Sequence, residues 1–346
     1  MATRKRNGEG PISLKALAEY LKLHPATVSV VLNDIPGRAV PEPTRARIKE
    51  AARLFGYRPN ALAASLRTGR TRSVGVVLPE LSNGLYASIM NGLGNRLTQR
   101  GYCYMALHHG YSPITARHNI EILSTRGVEG LILIDAMLDR CSTVPAITIG
   151  CRGLLEGTAR IEFDQYRAAA LTLGYLANRD RRKLLVLNRN LDGTGEDSLS
   201  AAVRETAESV HIEIVDGVIP SHRQDMDHRD FCNRVRYAVT ESIAILTFNI
   251  QDANAAAVAA CDKSGGSGSQ CPVLCIDRYG TGTPLPGVSV IRQPPSAVGQ
   301  LSADAILQWI CSGEDFGGRV LTVEPELVGA RNPPSNPILT GLASRG

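Results

Sequence analysis

From residue 74 onward, short apolar runs alternate with longer stretches of helical periodicity, and this alternation limits the fold more than any other feature of the chain. Candidate strands are VGVVLP (74–79), CYMALHH (103–109), GLILID (130–135), AITIG (146–150), KLLVLN (183–188), HIEIVDG (211–217), AILTFN (244–249) and PVLCID (272–277). Amphipathic stretches lie between them, among others at 84–99, 112–126, 166–178 and 296–312. Parallel strands need a crossover connection, and helical crossovers cover both faces of a sheet. Eight such units exceed one compact sheet. The pattern therefore predicts an α/β protein with two lobes of doubly wound parallel sheet, and ligands of such sheets sit at the carboxyl ends of the strands.

Polar residues at those strand ends are the candidates for binding. Glu80, Ser82, Asn83 and Tyr86 follow the first strand, Asn249 follows AILTF, and Asp277 and Arg278 follow PVLCI. Arg152 follows AITIG and can point to the same edge. Each has an alternative use as a loop cap or helix N-cap. No GK[ST], GxGxxG, GxSxG or HExxH pattern occurs, so the sequence offers no phosphate cradle, nucleophile elbow or zincin site. The Gly/Ser stretch KSGGSGSQ (263–270) reads as a flexible loop. Eight cysteines are scattered, and CPVLC (271–275) has no partner pair at zinc spacing, which predicts reduced thiols and no metal site. The apolar runs are too short to span a bilayer and no apolar stretch follows the basic MATRKRNGEG, so a cytoplasmic protein with no membrane partner is expected. No cofactor is indicated.

The first 72 residues differ in charge. They hold 14 Lys/Arg and 5 Asp/Glu, a net of +9, while the rest of the chain holds 24 and 28, a net of −4. A small basic module joined to a mildly acidic body is the footprint of nucleic-acid binding. Leu14, Leu17, Ala18 and Leu21 form one helical stripe behind Ser13, a candidate N-cap. Pro25 suits the first turn of a second helix, on which Val28, Val31 and Leu32 face one way and Ala26, Ser29, Val30 and Asn33 the other. A third helix follows PEP, with Ile48, Ala51, Ala52 and Phe55 on its buried stripe and Gly56 after its end. Three short helices with a tight first turn predict a helix-turn-helix, whose second helix enters the major groove. Thr27, Ser29 and Asn33 can bond phosphates or base edges. Next, Asn60 can cap a short helix, ALAASLR, that Gly69 stops. Leu66 lies there among Arg67, Arg70 and Arg72, an arrangement that suits minor-groove insertion.

The runs ATVSVVLN, VPEPTRARIKEAARLFGYRPNALAASLRTGRT and VGVVLPELSN together resemble the LacI/GalR family of transcriptional regulators, most strongly over residues 12–90. The resemblance implies a helix-turn-helix headpiece (1–57), a hinge helix and linker (58–72) and a two-lobed periplasmic-binding-protein-like core (73–346). It implies an N-lobe of about 73–163 and 295–320, a C-lobe of about 164–292 and 321–331, a tail of 332–346, and lobe crossings near 162–165, 291–295 and 319–325. It also implies a homodimer on a pseudo-palindromic DNA operator, associated with the nucleoid, and paired hinge helices that kink the duplex with Leu66. Ser13, Thr27, Ser29, Asn33, Tyr57, Asn60 and Arg67 then contact or position DNA, and Pro25, Ala26 and Val30 take the base-reading positions. Ser82, Asn83, Tyr86, Arg152, Asn249, Asp277 and Arg278 are the expected sites for a small, polar, sugar-like effector. The expected function is a repressor controlled by that effector, with no enzyme activity. The alternative is a core that has lost small-molecule sensing on a constitutive DNA-binding regulator. Four departures stand out: Val30 replaces an arginine, Lys22 a turn glycine, Pro41 a capping serine, and Ile250 the aspartate of an Asn-Asp pair.

Overall fold

The computed structural model describes residues 12–33, 39–57, 65–66, 68–138, 144–150, 155–187, 198–216, 228–261, 271–277 and 282–328. The chain divides after Arg72 into two compact units. In the first, α1 spans Leu14–Leu21, α2 Pro25–Leu32 and α3 Glu42–Leu54. Ser13 caps α1 by accepting a hydrogen bond from the Ala16 N–H at 3.2 Å. Lys22 ends the helix with φ 54°, in the left-handed region. His24 caps α2 through Nδ1, and Pro25 opens it. Leu17, Ala18, Leu21, Val28, Val31, Ile48, Ala51 and Ala52 form a single apolar cluster, drawn from all three helices. The Arg47 guanidinium donates to the Leu21 carbonyl at 2.6 Å, which ties α3 to the tight turn between α1 and α2. The turn after α3 uses Gly56 at φ 62°, and the Tyr57 N–H donates back to the Ala52 carbonyl.

The second unit is the expected α/β core, with two six-stranded sheets among the described residues. Its strands are β1 Ser73–Leu78, β2 Cys103–His108, β3 Gly130–Ile134, β4 Ala146–Ile149, β5 Thr158–Phe163, β6 Lys183–Leu187, β7 Glu213–Asp216, β8 Ala244–Thr247, β9 Val273–Asp277, β10 Val288–Arg292, β11 Val320–Val323 and β12 Glu326–Val328. Its helices are α4 Gly84–Gln99, α5 Pro113–Thr125, α6 Gln165–Ala177, α7 Ser198–Ser209, α8 His228–Thr240, α9 Ile250–Cys261 and α10 Pro295–Ser312. The first sheet runs β11-β5-β4-β3-β1-β2 and the second β12-β10-β9-β8-β6-β7. All pairings are parallel except β10–β12.

Eight strands are expected from the sequence; β5, β10, β11 and β12 are additional. The reason is local. TARIEF alternates apolar with charged residues, VSVIR ends on an arginine, and VLTV and ELV are short and only partly buried, so none carries a long apolar run.

The chain passes between sheets at Asp164, at Gln293–Pro294 and at Glu324–Pro325. Each passage leaves the carboxyl edge of one sheet and enters at the carboxyl edge of the other. β5 leads directly into α6, and β10 into α10. β11 leads into β12, whose Glu326 pairs with Arg292 at the carboxyl end of β10. Hydrogen bonds cross-link the passages: the Asp164 N–H donates to Val323 O at 3.0 Å, and Gln293 Nε2 donates to Gln165 Oε1 at 2.8 Å. Helix α10 packs on α4 so closely that a Cβ at Gly92 would collide with the Ser296 carbonyl, and one at Gly299 with the Ile89 carbonyl. No described helix is long and apolar enough to cross a membrane.

Candidate functional site

In the first unit, Pro25, Ala26, Thr27 and Ser29 are partly exposed on α2, and Asn33 is exposed at its end. Asn33 Nδ2 donates to the Ser29 carbonyl at 2.8 Å and to Ser29 Oγ at 3.2 Å, so the two side chains hold each other. Val30 departs from expectation. Placed on the outer face by its sequence position, it is buried, with 7% exposure. It lies outside the central cluster, whose α2 members include Val28 and Val31. An eight-residue helix with valines at 28, 30 and 31 is apolar on nearly every side, and such a helix has no single inward stripe. Tyr57 is half-buried against the cluster, and burial pushes its phenol up. Leu66 is 89% exposed, the most exposed of the large apolar side chains described. Asn60 and Arg67 lie outside the described residues.

In the core, the expected residues separate into caps and contacts. Asn83 caps α4, accepting from the Leu85 N–H at 2.9 Å, and Ser82 Oγ donates to Glu80 at 2.7 Å. Asn249 caps α9: its Oδ1 accepts from the Asp252 N–H at 2.7 Å and its Nδ2 donates to Asp252 Oδ2 at 2.6 Å. Ile250, where the family pattern has an acid, is buried and packs on Gly282. Asp277 ends β9 and is fully buried. Arg152 and Arg278, the two expected donors, lie outside the described residues.

The structure brings a different arginine to Asp277. Arg292 is its register partner on β10 and also pairs with Glu326 on β12. The Arg292 Nε is buried and makes no hydrogen bond. Sequence reasoning missed it because VSVIR was not read as a strand.

The first sheet gathers a second polar group at its carboxyl edge. The Tyr86 hydroxyl donates to Asp135 Oδ2 at 2.6 Å, and Tyr111 Oη lies 3.2 Å from it. Tyr86 is buried, and burial together with the Asp135 carboxylate pushes its phenol far up, so it stays a donor. His109 is buried between Ile134 O and the Tyr111 N–H. Asp135, His109 and Tyr111 were not among the expected site residues. The signal available was a single acid closing an otherwise apolar strand, GLILI-Asp135.

A fold of two doubly wound parallel sheets, joined by three passages at their carboxyl edges and preceded by a helix-turn-helix unit, defines a class: a periplasmic-binding-protein-like core with a helical headpiece. Residues 71–207 match the family model described as periplasmic binding proteins and sugar binding domain of LacI family. The chain is 23% identical over 215 residues to catabolite control protein A of Staphylococcus xylosus, across 60% of this chain and 65% of that one, just under two thirds of its length. It is 22% identical over 337 residues to the HTH-type transcriptional repressor PurR of Aliivibrio salmonicida (strain LFI1238), across 91% and 97%. The fold is similar to that of the lac repressor dimer bound to operator and the anti-inducer ONPF, at TM-score 0.69 and 21% identity, across 92% and 98%. The chain is thus similar to the LacI family's sugar-binding domain over residues 71–207, and to a protein named as a repressor over most of its length.

Proposed function

We propose that this protein is a sequence-specific DNA-binding transcriptional regulator, a repressor, controlled by a small polar ligand at the carboxyl edges of its two core sheets. The observation that carries the reading is the union of one basic helix-turn-helix unit with one two-sheet core. The net charge of +9 in residues 1–72 has no use inside a three-helix cluster, and it suits a polyanion. The exposed Leu66 suits an apolar wedge in the minor groove or a contact with the matching helix of a second copy. The similarity of the whole chain to a protein named as a repressor supports the direction of control.

The mechanism follows from two-state linkage. Ligand at the facing edges favours one spacing of the lobes, and DNA favours one spacing of two headpieces in a homodimer. Each can move the equilibrium only by its differential affinity for the two states. The protein acts in the cytoplasm by binding and performs no catalysis. A gel shift with the full chain on a pseudo-palindromic duplex obtained by selection tests the reading, with a chain lacking residues 1–72 as control. A specific complex that the truncated chain cannot form is expected. Equal retardation by both chains would refute it.

A further inference from the structure

The second helix of the helix-turn-helix is capped by an imidazole. His24 Nδ1 accepts from the Ala26 N–H at 3.2 Å, and the His24 carbonyl accepts from the Thr27 N–H at 2.9 Å. A neutral ring that accepts at Nδ1 carries its hydrogen on Nε2. The two nitrogens diverge across the ring, so the Nε2–H is aimed away from the helix end that Nδ1 closes. The turn that carries the ring is fixed on both sides. The Leu23 N–H donates to Ala18 O at 3.0 Å, the Arg47 guanidinium donates to Leu21 O at 2.6 Å, and Pro25 restricts the backbone that follows. His24 itself is exposed.

Beside this ring α2 has little reach. Pro25 has no polar side-chain atom, Ala26 ends in a methyl and Thr27 in a short hydroxyl. Val30 is buried, and Ser29 and Asn33 hold each other. His24 is therefore the longest side chain at the leading end of α2. In a helix-turn-helix the N-terminal residues of the second helix meet base edges in the major groove. There guanine presents acceptors at N7 and O6, adenine one at N7 and thymine one at O4, whereas cytosine presents the hydrogens of its amino group.

We propose that His24 is a specificity-determining residue, whose Nε2–H reads one base in each half-site, taking guanine best and rejecting cytosine. The inference rests on the regulator reading above and deepens it. Guanine sets two adjacent acceptors before the donor, while cytosine sets a second donor against it. One ring thus does two things: capping α2 fixes its tautomer, and the tautomer fixes the base it accepts.

The test starts from a duplex selected by the full chain, with each half-site position then changed in turn to all four base pairs and affinity read by fluorescence anisotropy. At one position per half-site, wild type should bind guanine about tenfold or more tighter than cytosine, the scale of one hydrogen bond set against a buried clash of donors. His24→Ser keeps a good helix cap and removes the ring. It should flatten the preference at that position and leave the preferences elsewhere as they are, with thermal unfolding of the headpiece unchanged. His24→Ala, which removes cap and ring together, should flatten the same position and also lower the headpiece transition. Retention of every base preference in His24→Ser overturns the inference. So does an equal loss on all sequences with a shallower salt dependence, the mark of a phosphate contact. Both results leave the regulator reading standing, whereas a wild-type chain that selects no sequence at all refutes that reading and the inference with it.

Discussion

At the carboxyl edge of the first sheet Asp135 is partly exposed and Tyr111 largely so, while at the same edge of the second sheet Asp277 and Asp252 have sunk to 0% and 5% exposure. The two lobes share a winding and spend it differently. In the first, α10 arrives from late in the chain and locks onto α4, with Gly92 and Gly299 bringing the two backbones together. In the second, α6 packs beside α7, and Gly174 on α6 has open space where a Cβ would go. The first lobe is a tightly keyed frame that presents a polar edge. The second keeps its acids inside, with Asn249 and Asp252 occupied in capping α9. The comparison teaches that a shared topology fixes where a ligand edge lies and leaves open which sheet presents its chemistry.

Cysteine reactivity gives the largest contrast. Cys103 and Cys311, in the first lobe, are exposed, and Cys271 and Cys275, in the second, are buried. Burial pushes the Cys271 thiol up to about 11 and the Cys275 thiol to about 12. Since the thiolate is the reactive form, maleimide labelling at pH 8 should modify the second pair at least about 100-fold more slowly than the first. Peptide mapping of labelled native protein checks this. The same thiols make the second lobe pH-sensitive. Their raised values contribute stability that is fully present below the unfolded thiol value of about 8.5. That contribution is lost as the pH rises toward 11 and 12.

The glycine contrast comes next. Gly299→Ala places a methyl against a backbone carbonyl and should destabilise the core by about 3 kcal/mol, the upper range for overpacking. Gly174→Ala removes a helix-interior glycine where there is room and should stabilise by roughly 0.5–1 kcal/mol. Urea unfolding of the two variants, read against wild type, should give opposite signs. Two changes of the same sign would break the contrast between the lobes.

In the helical unit, Lys22 holds φ 54° at the end of α1. Lys22→Gly should raise that unit's stability by about 1 kcal/mol, seen as a later headpiece transition in thermal unfolding. Pro41, which offers α3 no side-chain cap, is a smaller opportunity: Pro41→Ser should add a few tenths of a kcal/mol, because the new cap is partly offset by the lost rigidity of proline.

The fold was largely legible because its signals are local. Apolar runs such as GLILI and VGVVL and the stripes of α1 and α3 declare themselves within a few residues. The strands that escaped, β5 and β10 to β12, are short or interrupted: β5, β10 and β12 carry charges of their own, and β11 is four residues broken by a threonine. The candidate site was legible in part. Asp277 could be found from its strand, but Arg292 comes beside it through a strand pairing from fifteen residues away, and Asp135 is held by residues 86 and 150, with Tyr111 reaching it only through Tyr86. Val30 was misplaced because helical spacing reports a direction and not what lies there.

The most direct test of the account is binding of the full chain to a selected pseudo-palindromic duplex, followed by fluorescence anisotropy across a salt series, with and without a neutral sugar that stabilises the core. The account predicts that log Kobs falls linearly with log salt, with a slope near −0.9 per phosphate neutralised and several phosphates per headpiece. It also predicts that saturating sugar shifts the whole line without changing its slope, since the sugar acts on the core and leaves the headpiece charges in place. A flat salt dependence, or a line that the sugar leaves unmoved, would contradict it.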